Sequence, residues 1–220
     1  MGMVPNFFAP APEAPEVVQA LWAFAKQAYM DNPVPSPFKD RLFVYLSRFC
    51  EVRYCVARHC AFLVADPNHS YDARIESMTK LLKLVPPWER DADGVVTGLK
   101  ARAPGSGWPE PGTDDEELVI VAATSLFVDP RKSEPVRNQL RDTLDASRLE
   151  HLMLFLSLIR TAHYWTMVHP ELEFEADVKE LLRANDELGQ LLLVDRQAGR
   201  LEMGVAVRRA GAPAGDQRKV

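Results

Sequence analysis

The residues best suited to chemistry are three cysteines and a histidine in one short run, Cys50-Glu51-Val52-Arg53-Tyr54-Cys55-Val56-Ala57-Arg58-His59-Cys60. If a helix has begun by Tyr54, Cys55 and His59 lie four residues apart on one face. An imidazole beside a thiol accepts its proton or stabilises the thiolate, the form in which sulfur is nucleophilic. A cysteine in a first helical turn also gains from the unpaired N–H groups there. The competing reading is simple packing, because free cysteine is among the most buried residue types and a core histidine needs only a hydrogen-bond partner. Zinc is not expected, since Cys50, Cys55, His59 and Cys60 lack the paired spacing of common structural sites. Cys55 and Cys60 stand about 7.5 Å apart along a continuous helix, beyond the usual reach of a disulfide. Cys50 and Cys55 meet only if the chain turns sharply between two helices.

The surrounding elements read as helices. Val17, Ala20, Leu21, Phe24 and Ala28 give Glu16 to Met30 one apolar face, which Asn32-Pro33 and Pro35 end. Ser36 is the expected N-cap of the next helix, with Pro37 at its first position. That helix, to about Phe49, is apolar around most of its circumference and should be central. Ser70 is expected to cap a helix through Ile75, Met78, Leu81 and Leu82. Thr113 with Glu116 reads as a capping box before Leu118 to Val128. A short helix follows Ser133-Glu134-Pro135, and a long one runs from about Ala146 to His169. Beyond Pro170 a last helix carries Phe174, Val178, Leu181, Leu182, Leu188 and Leu192. The Pro/Gly-rich stretch 86–112, with Trp88 and Trp108, reads as a long loop, either a site cover or an exposed insertion. The alternation Leu201, Met203, Val205, Val207 suggests a strand.

These elements predict an all-α fold of seven or eight helices in one domain. Residues 1–15 are expected to form a flexible N-terminal arm, 16–198 the domain, and 199–220 a mostly disordered tail. The 220 residues are 47% hydrophobic, with 26 basic and 31 acidic residues and a net charge of −5. That balance offers nucleic acid no general attraction. No apolar run approaches the ~18 residues of a bilayer span, and the N-terminus does not read as an export signal. Three clustered cysteines do not make a secreted disulfide framework, so a reducing, cytoplasmic setting is expected.

The stretch Phe38-Lys39-Asp40-Arg41-Leu42 through Tyr54-Cys55 and His59 resembles the alkylhydroperoxidase D-like (AhpD-like), or carboxymuconolactone decarboxylase, superfamily. The resemblance implies an AhpD-like helical bundle that forms homo-oligomers. It also implies a relay of carboxylate, paired cysteines and histidine that reduces hydroperoxides, an antioxidant oxidoreductase chemistry needing no cofactor. On that pattern the peroxide-reactive cysteine corresponds to Cys55, the histidine to His59 and the relay glutamate to the shorter Asp40. The first cysteine of the pair falls on Val52, which cannot release product from an oxidised Cys55. Turnover would then need Cys50 as a substitute or an external thiol reductant; otherwise the redox activity is gone. The decarboxylase branch would draw on His59 with Arg53 or Arg58, and no substrate follows from them. Sequences with this pattern also occur fused to bacterial sensory and histidine-kinase modules, which implies a signalling or scaffold role. Finally, Arg160, His163 and Tyr164 recur at helical spacing. They either join Asp40 or His59 in a buried polar network or serve as aromatic core packing, with His169 near the helix end.

Overall fold

A computed structural model describes residues 5–65, 70–84 and 92–193. Among these residues the chain is all-α, with ten α-helices and no strand: α1 Pro15–Ala25, α2 Ser36–Phe49, α3 Arg53–Val64, α4 Tyr71–Lys83, α5 Ala92–Ala101, α6 Asp114–Val128, α7 Glu134–Leu144, α8 Ala146–Val168, α9 Ala176–Ala184 and α10 Asp186–Leu193. None of them is long and apolar enough to cross a membrane. The suggested strand at Leu201 to Val207, the tail and Trp88 lie outside the described residues.

The α2–α3 hairpin is the centre of the molecule, packed against α4, α6, α8 and α9. Every residue of α2 from Phe38 to Ser47 is buried, as is every residue of α3 from Tyr54 to Ala61. The two helices turn on each other within three residues. Glu51 adopts φ +57°, the Val52 N–H bonds Ser47 O at 2.9 Å, and the Glu51 N–H bonds Arg48 O at 3.3 Å. This is a Schellman closure with glutamate where glycine is usual. Thus Cys55 lies in the first turn of α3, one sharp turn after Cys50 caps α2.

A helix buried on all sides cannot leave charges unpaired, and the Lys39-Asp40-Arg41 run meets this demand three ways. Lys39 Nζ donates to the backbone carbonyls of Tyr29 and, at 3.1 Å, of Asn32. Asp40 accepts from Tyr29 and pairs with His59. Arg41 Nε reaches both oxygens of Glu116, at 2.7 and 2.9 Å, and its Nη1 donates to Ser77 Oγ at 2.8 Å.

Several elements differ from the sequence expectation. The first helix stops as α-helix at Ala25 and continues as a π turn, Lys26–Met30, closed by Asp31 N–H on Lys26 O at 2.8 Å. α2 begins one residue early, with Pro35 in the cap position and no capping bond from the Ser36 side chain. Ser70 and Thr113 do cap α4 and α6, accepting from Ala73 N and Glu116 N at 3.3 and 3.2 Å. The Glu116 carboxylate, however, turns to Arg41 and Gly112 N rather than completing a reciprocal box. The expected loop at 86–112 contains α5, because Val95 and Leu99 make an i,i+4 apolar pair that buries against α6 and α7. Gly98 permits that approach: a Cβ there would lie 3.0 Å from Leu118 Cδ1. The last helix breaks in two at Asn185.

Where composition predicts a flexible arm, Asn6–Phe8 form a 3-10 turn fastened to the body. Tyr54 OH accepts from Phe7 N at 2.8 Å and donates to Glu175 at 2.6 Å, and Trp165 Nε1 donates to Phe7 O at 3.0 Å. Arg58 closes the same region with a two-armed bond to Asp177, at 2.9 and 2.6 Å.

Candidate functional site

Asp40 comes from the first turns of α2, His59 from the middle of α3 and Cys55 from the first turn of α3. The hairpin brings the carboxylate to the imidazole: His59 Nδ1 and Asp40 Oδ1 are 2.7 Å apart. The same oxygen accepts from Tyr29 OH at 2.5 Å. Phe43 stacks on the His59 ring at a centroid distance of 3.7 Å, while Tyr29 and Phe62 meet it edge-on at 5.7 and 5.3 Å. The imidazole is therefore held in plane and orientation by packing, and Asp40 fixes the role of Nδ1. The His59 and Asp40 side chains keep 10% and 11% of their exposure. A carboxylate-oriented histidine with this slight opening has the form of a general base.

Cys55 has different surroundings. Its residue is 3% exposed, and its sulfur lies 3.9 Å from Thr166 Oγ1 on α8. The hydrogen bonds of Cys55 and His59 thus run to different partners, Thr166 and Asp40. Burial pushes the Cys55 thiol from 9.0 up to about 12, against a smaller lowering by the Thr166 hydrogen bond. Cys60 is fully enclosed and raised further by burial, with Asp40 adding to the effect. Cys50, at the end of α2, is exposed, and all three thiols are free. Among the described residues no group of His, Cys, Asp and Glu is arranged to hold a metal ion.

Of the downstream residues, His163 enters the core and Arg160 and Tyr164 do not. His163 Nε2 lies 2.8 Å from Ser47 Oγ, and its ring meets the edges of Phe43 and Phe127 at 6.1 and 5.6 Å. It touches the His59 region through Phe43, not by a hydrogen bond to Asp40 or His59. Arg160 donates to Phe127 O and lies over that ring, and Tyr164 is 66% exposed. His169 Nδ1 pairs with Glu171 at 2.9 Å. Arg58, weighed above as a substrate group, is committed to Asp177.

Tyr29, Thr166 and Ser47 were not legible as site residues. Tyr29 gives no signal in the helical period, because the π turn rotates it toward Asp40. The charged run Lys39-Asp40-Arg41 inside a mostly apolar helix was a sign that a polar network lay nearby.

His163 gives the fold an acid limit. Burial holds its pKa from 6.5 down to about 3, with the proximity of His59 and Arg160 adding to the lowering. The unfolded chain therefore binds a proton that the folded chain refuses between those values, and stability rises with pH across that window. The contribution is whole above about pH 6.5 and falls away as pH drops toward 3. Urea unfolding should register a loss of about 2 kcal/mol from this group by pH 5. In His163→Gln that part of the pH dependence should vanish; an unchanged slope would remove His163 as its source.

In comparisons with protein-family models, curated proteins and solved structures, the chain has no significant match.

Proposed function

We propose that this chain is a non-catalytic helical module that works by association, with itself or with a signalling partner. In this reading Cys55 and His59 are core residues of a divergent AhpD-like bundle. The closed sulfur carries the proposal. A peroxide-reducing cysteine needs a thiolate near neutral pH and a route for its oxidant. Cys55 is enclosed, hydrogen-bonded to a threonine hydroxyl, and burial raises its pKa to about 12, which disfavours the thiolate at neutral pH. A cytoplasmic setting fits three unbridged thiols.

One observation favours a second reading, thiol-dependent hydroperoxide reduction. The Asp40–His59 pair has the geometry of a proton relay, stands one helical turn from Cys55 and is not wholly sealed. Turnover would oxidise the Cys55 thiolate to a sulfenic acid as the peroxide becomes an alcohol. Cys50 or an external thiol would then displace water from that sulfenic acid to form a disulfide.

Alkylation separates the two. In the native chain at neutral pH, iodoacetamide is expected to modify Cys50 and to leave Cys55 and Cys60 untouched until unfolding, with no change in His59→Ala. Native-state modification of Cys55 that slows in His59→Ala, or a Cys50–Cys55 bridge after hydroperoxide treatment, would overturn the non-catalytic reading.

A further inference from the structure

Asn6, Phe7 and Phe8 lie against α3, α8 and the start of α9, and backbone groups do most of the holding. Asn6 N–H donates to Glu175 Oε1 at 2.7 Å, and Phe7 N–H donates to Tyr54 OH at 2.8 Å. Trp165 Nε1 donates to Phe7 O at 3.0 Å, and the Asn6 side chain donates to Glu173 O at 3.0 Å. The Phe7 ring is buried, and Phe8 meets Trp22 edge-on at 5.1 Å. Peptide-binding sites hold their ligands in this way, by main-chain bonds around an anchored side chain. The segment is a ligand carried in cis.

Its seat offers an acceptor that the segment does not use. The Glu175 side chain is 2% exposed, yet its Oε2 accepts no hydrogen bond among the described residues. Arg58 Nη1 stands 3.5 Å from that oxygen, but both Nη atoms of Arg58 donate to Asp177. A buried carboxylate oxygen without a donor is costly. Charge is short in the same sense, since two carboxylates, Glu175 and Asp177, share one guanidinium. The group that completes the seat is a cation with hydrogens to donate, beside the Asn6 nitrogen. The Asn6 amide has a single hydrogen, and Oε1 takes it. An ammonium in its place has three and serves both oxygens.

We propose that this seat is a peptide-docking site whose partner begins with a free α-amino group and carries an aromatic second residue. The partner's ammonium replaces the Asn6 N–H on Glu175, and its ring replaces Phe7. The resident segment is then an autoinhibitory plug, at an effective concentration of order millimolar because it belongs to the same chain. A partner displaces it through the added ammonium–carboxylate bond, giving up the local bond from Phe8 N–H to Pro5 O at 3.1 Å. The proposal rests on the reading that the module works by association, and it names the surface and the kind of partner.

The probe is a synthetic peptide of residues 6–13, Asn-Phe-Phe-Ala-Pro-Ala-Pro-Glu, with a free amino end and a dye at its carboxyl end. Fluorescence anisotropy is read on the full chain and on two full-length variants that loosen the resident segment. Phe7→Ala removes the ring, and Asn6→Pro removes only the N–H on Glu175; circular dichroism checks the fold of each. Both should bind the peptide at least about tenfold more tightly than the wild type, whose own segment competes. Acetylating the peptide's amino end, or replacing its second residue with alanine, should weaken binding at least about tenfold. Glu175→Gln added to Asn6→Pro should erase the difference between free and acetylated peptide, a ratio that a general loss of folding does not change. No binding to either variant up to about 1 mM overturns the docking site. Equal binding of the free and acetylated peptides overturns the ammonium as the recognised group. Binding to the wild type as tight as to both variants overturns the resident segment as the plug. A wild-type dimer in sedimentation equilibrium that Phe7→Ala dissolves means that copies exchange the segment, and overturns a separate partner. None of these results bears on Cys55 alkylation, so the two proposals fail separately.

Discussion

Replacing Glu116 with alanine is expected to destabilise the fold by about 3–5 kcal/mol, the cost of leaving a buried charge without its partner. The Arg41 and Glu116 side chains are 7% and 2% exposed, on α2 and the first turn of α6. Arg41 Nε lies between the two carboxylate oxygens, and Glu116 also accepts from Gly112 N at 2.7 Å. Removing the carboxylate strands a guanidinium inside the bundle with Ser77 as its remaining acceptor. Equilibrium urea unfolding measures the loss. The double variant Arg41→Met/Glu116→Leu should recover most of it, because two apolar side chains of similar volume demand nothing from each other electrostatically. A loss under about 1 kcal/mol in Glu116→Ala, the range of an exposed pair, would mean that water reaches this pair.

The second large effect is a cavity. Phe155→Ala is expected to cost about 3–5 kcal/mol, as for other fully buried aromatic truncations. Phe155 is completely enclosed on α8, and its ring lies 6.0 Å from both Tyr29 and Phe43. Those two rings hold the Asp40 carboxylate and the His59 imidazole, so the void opens directly behind the polar cluster. Phe155→Leu should restore a large part of the stability by refilling the space. If truncation to alanine costs little, the bundle must close around the gap, and the rings that orient His59 are then less rigid than their packing indicates.

Much of the architecture was legible because helices declare themselves locally. The 3.6-residue period marked the first helix, Ser70 and Thr113 marked two starts, and the near-continuous apolar circumference of α2 marked it as central. What escaped was decided at a distance or against propensity. Gly94 and Gly98 weakened the signal of α5, which forms because Val95 and Leu99 have a groove to fill. Glu116 satisfied a capping pattern three residues long, yet its carboxylate was claimed by Arg41, 75 positions away. The candidate site behaved likewise. A spacing of four put Cys55 and His59 one turn apart, but α8 supplied Thr166 to the sulfur and α2 supplied Asp40 to the ring. No local rule ranks such rivals, since each is brought by an element folded elsewhere.

The π turn at Lys26–Met30 has a bearing on ancestry. Such a turn accommodates one residue more than an α-helix would over the same rise, so the chain on either side is out of phase by about 100°. Deleting a single residue there would straighten the rod and swing the phenol of Tyr29 a quarter-turn off its acceptor. Relatives lacking the extra residue would match this protein before and after the kink, but only across a one-position gap. A tyrosine–aspartate contact should be present on one side of that divide and missing on the other.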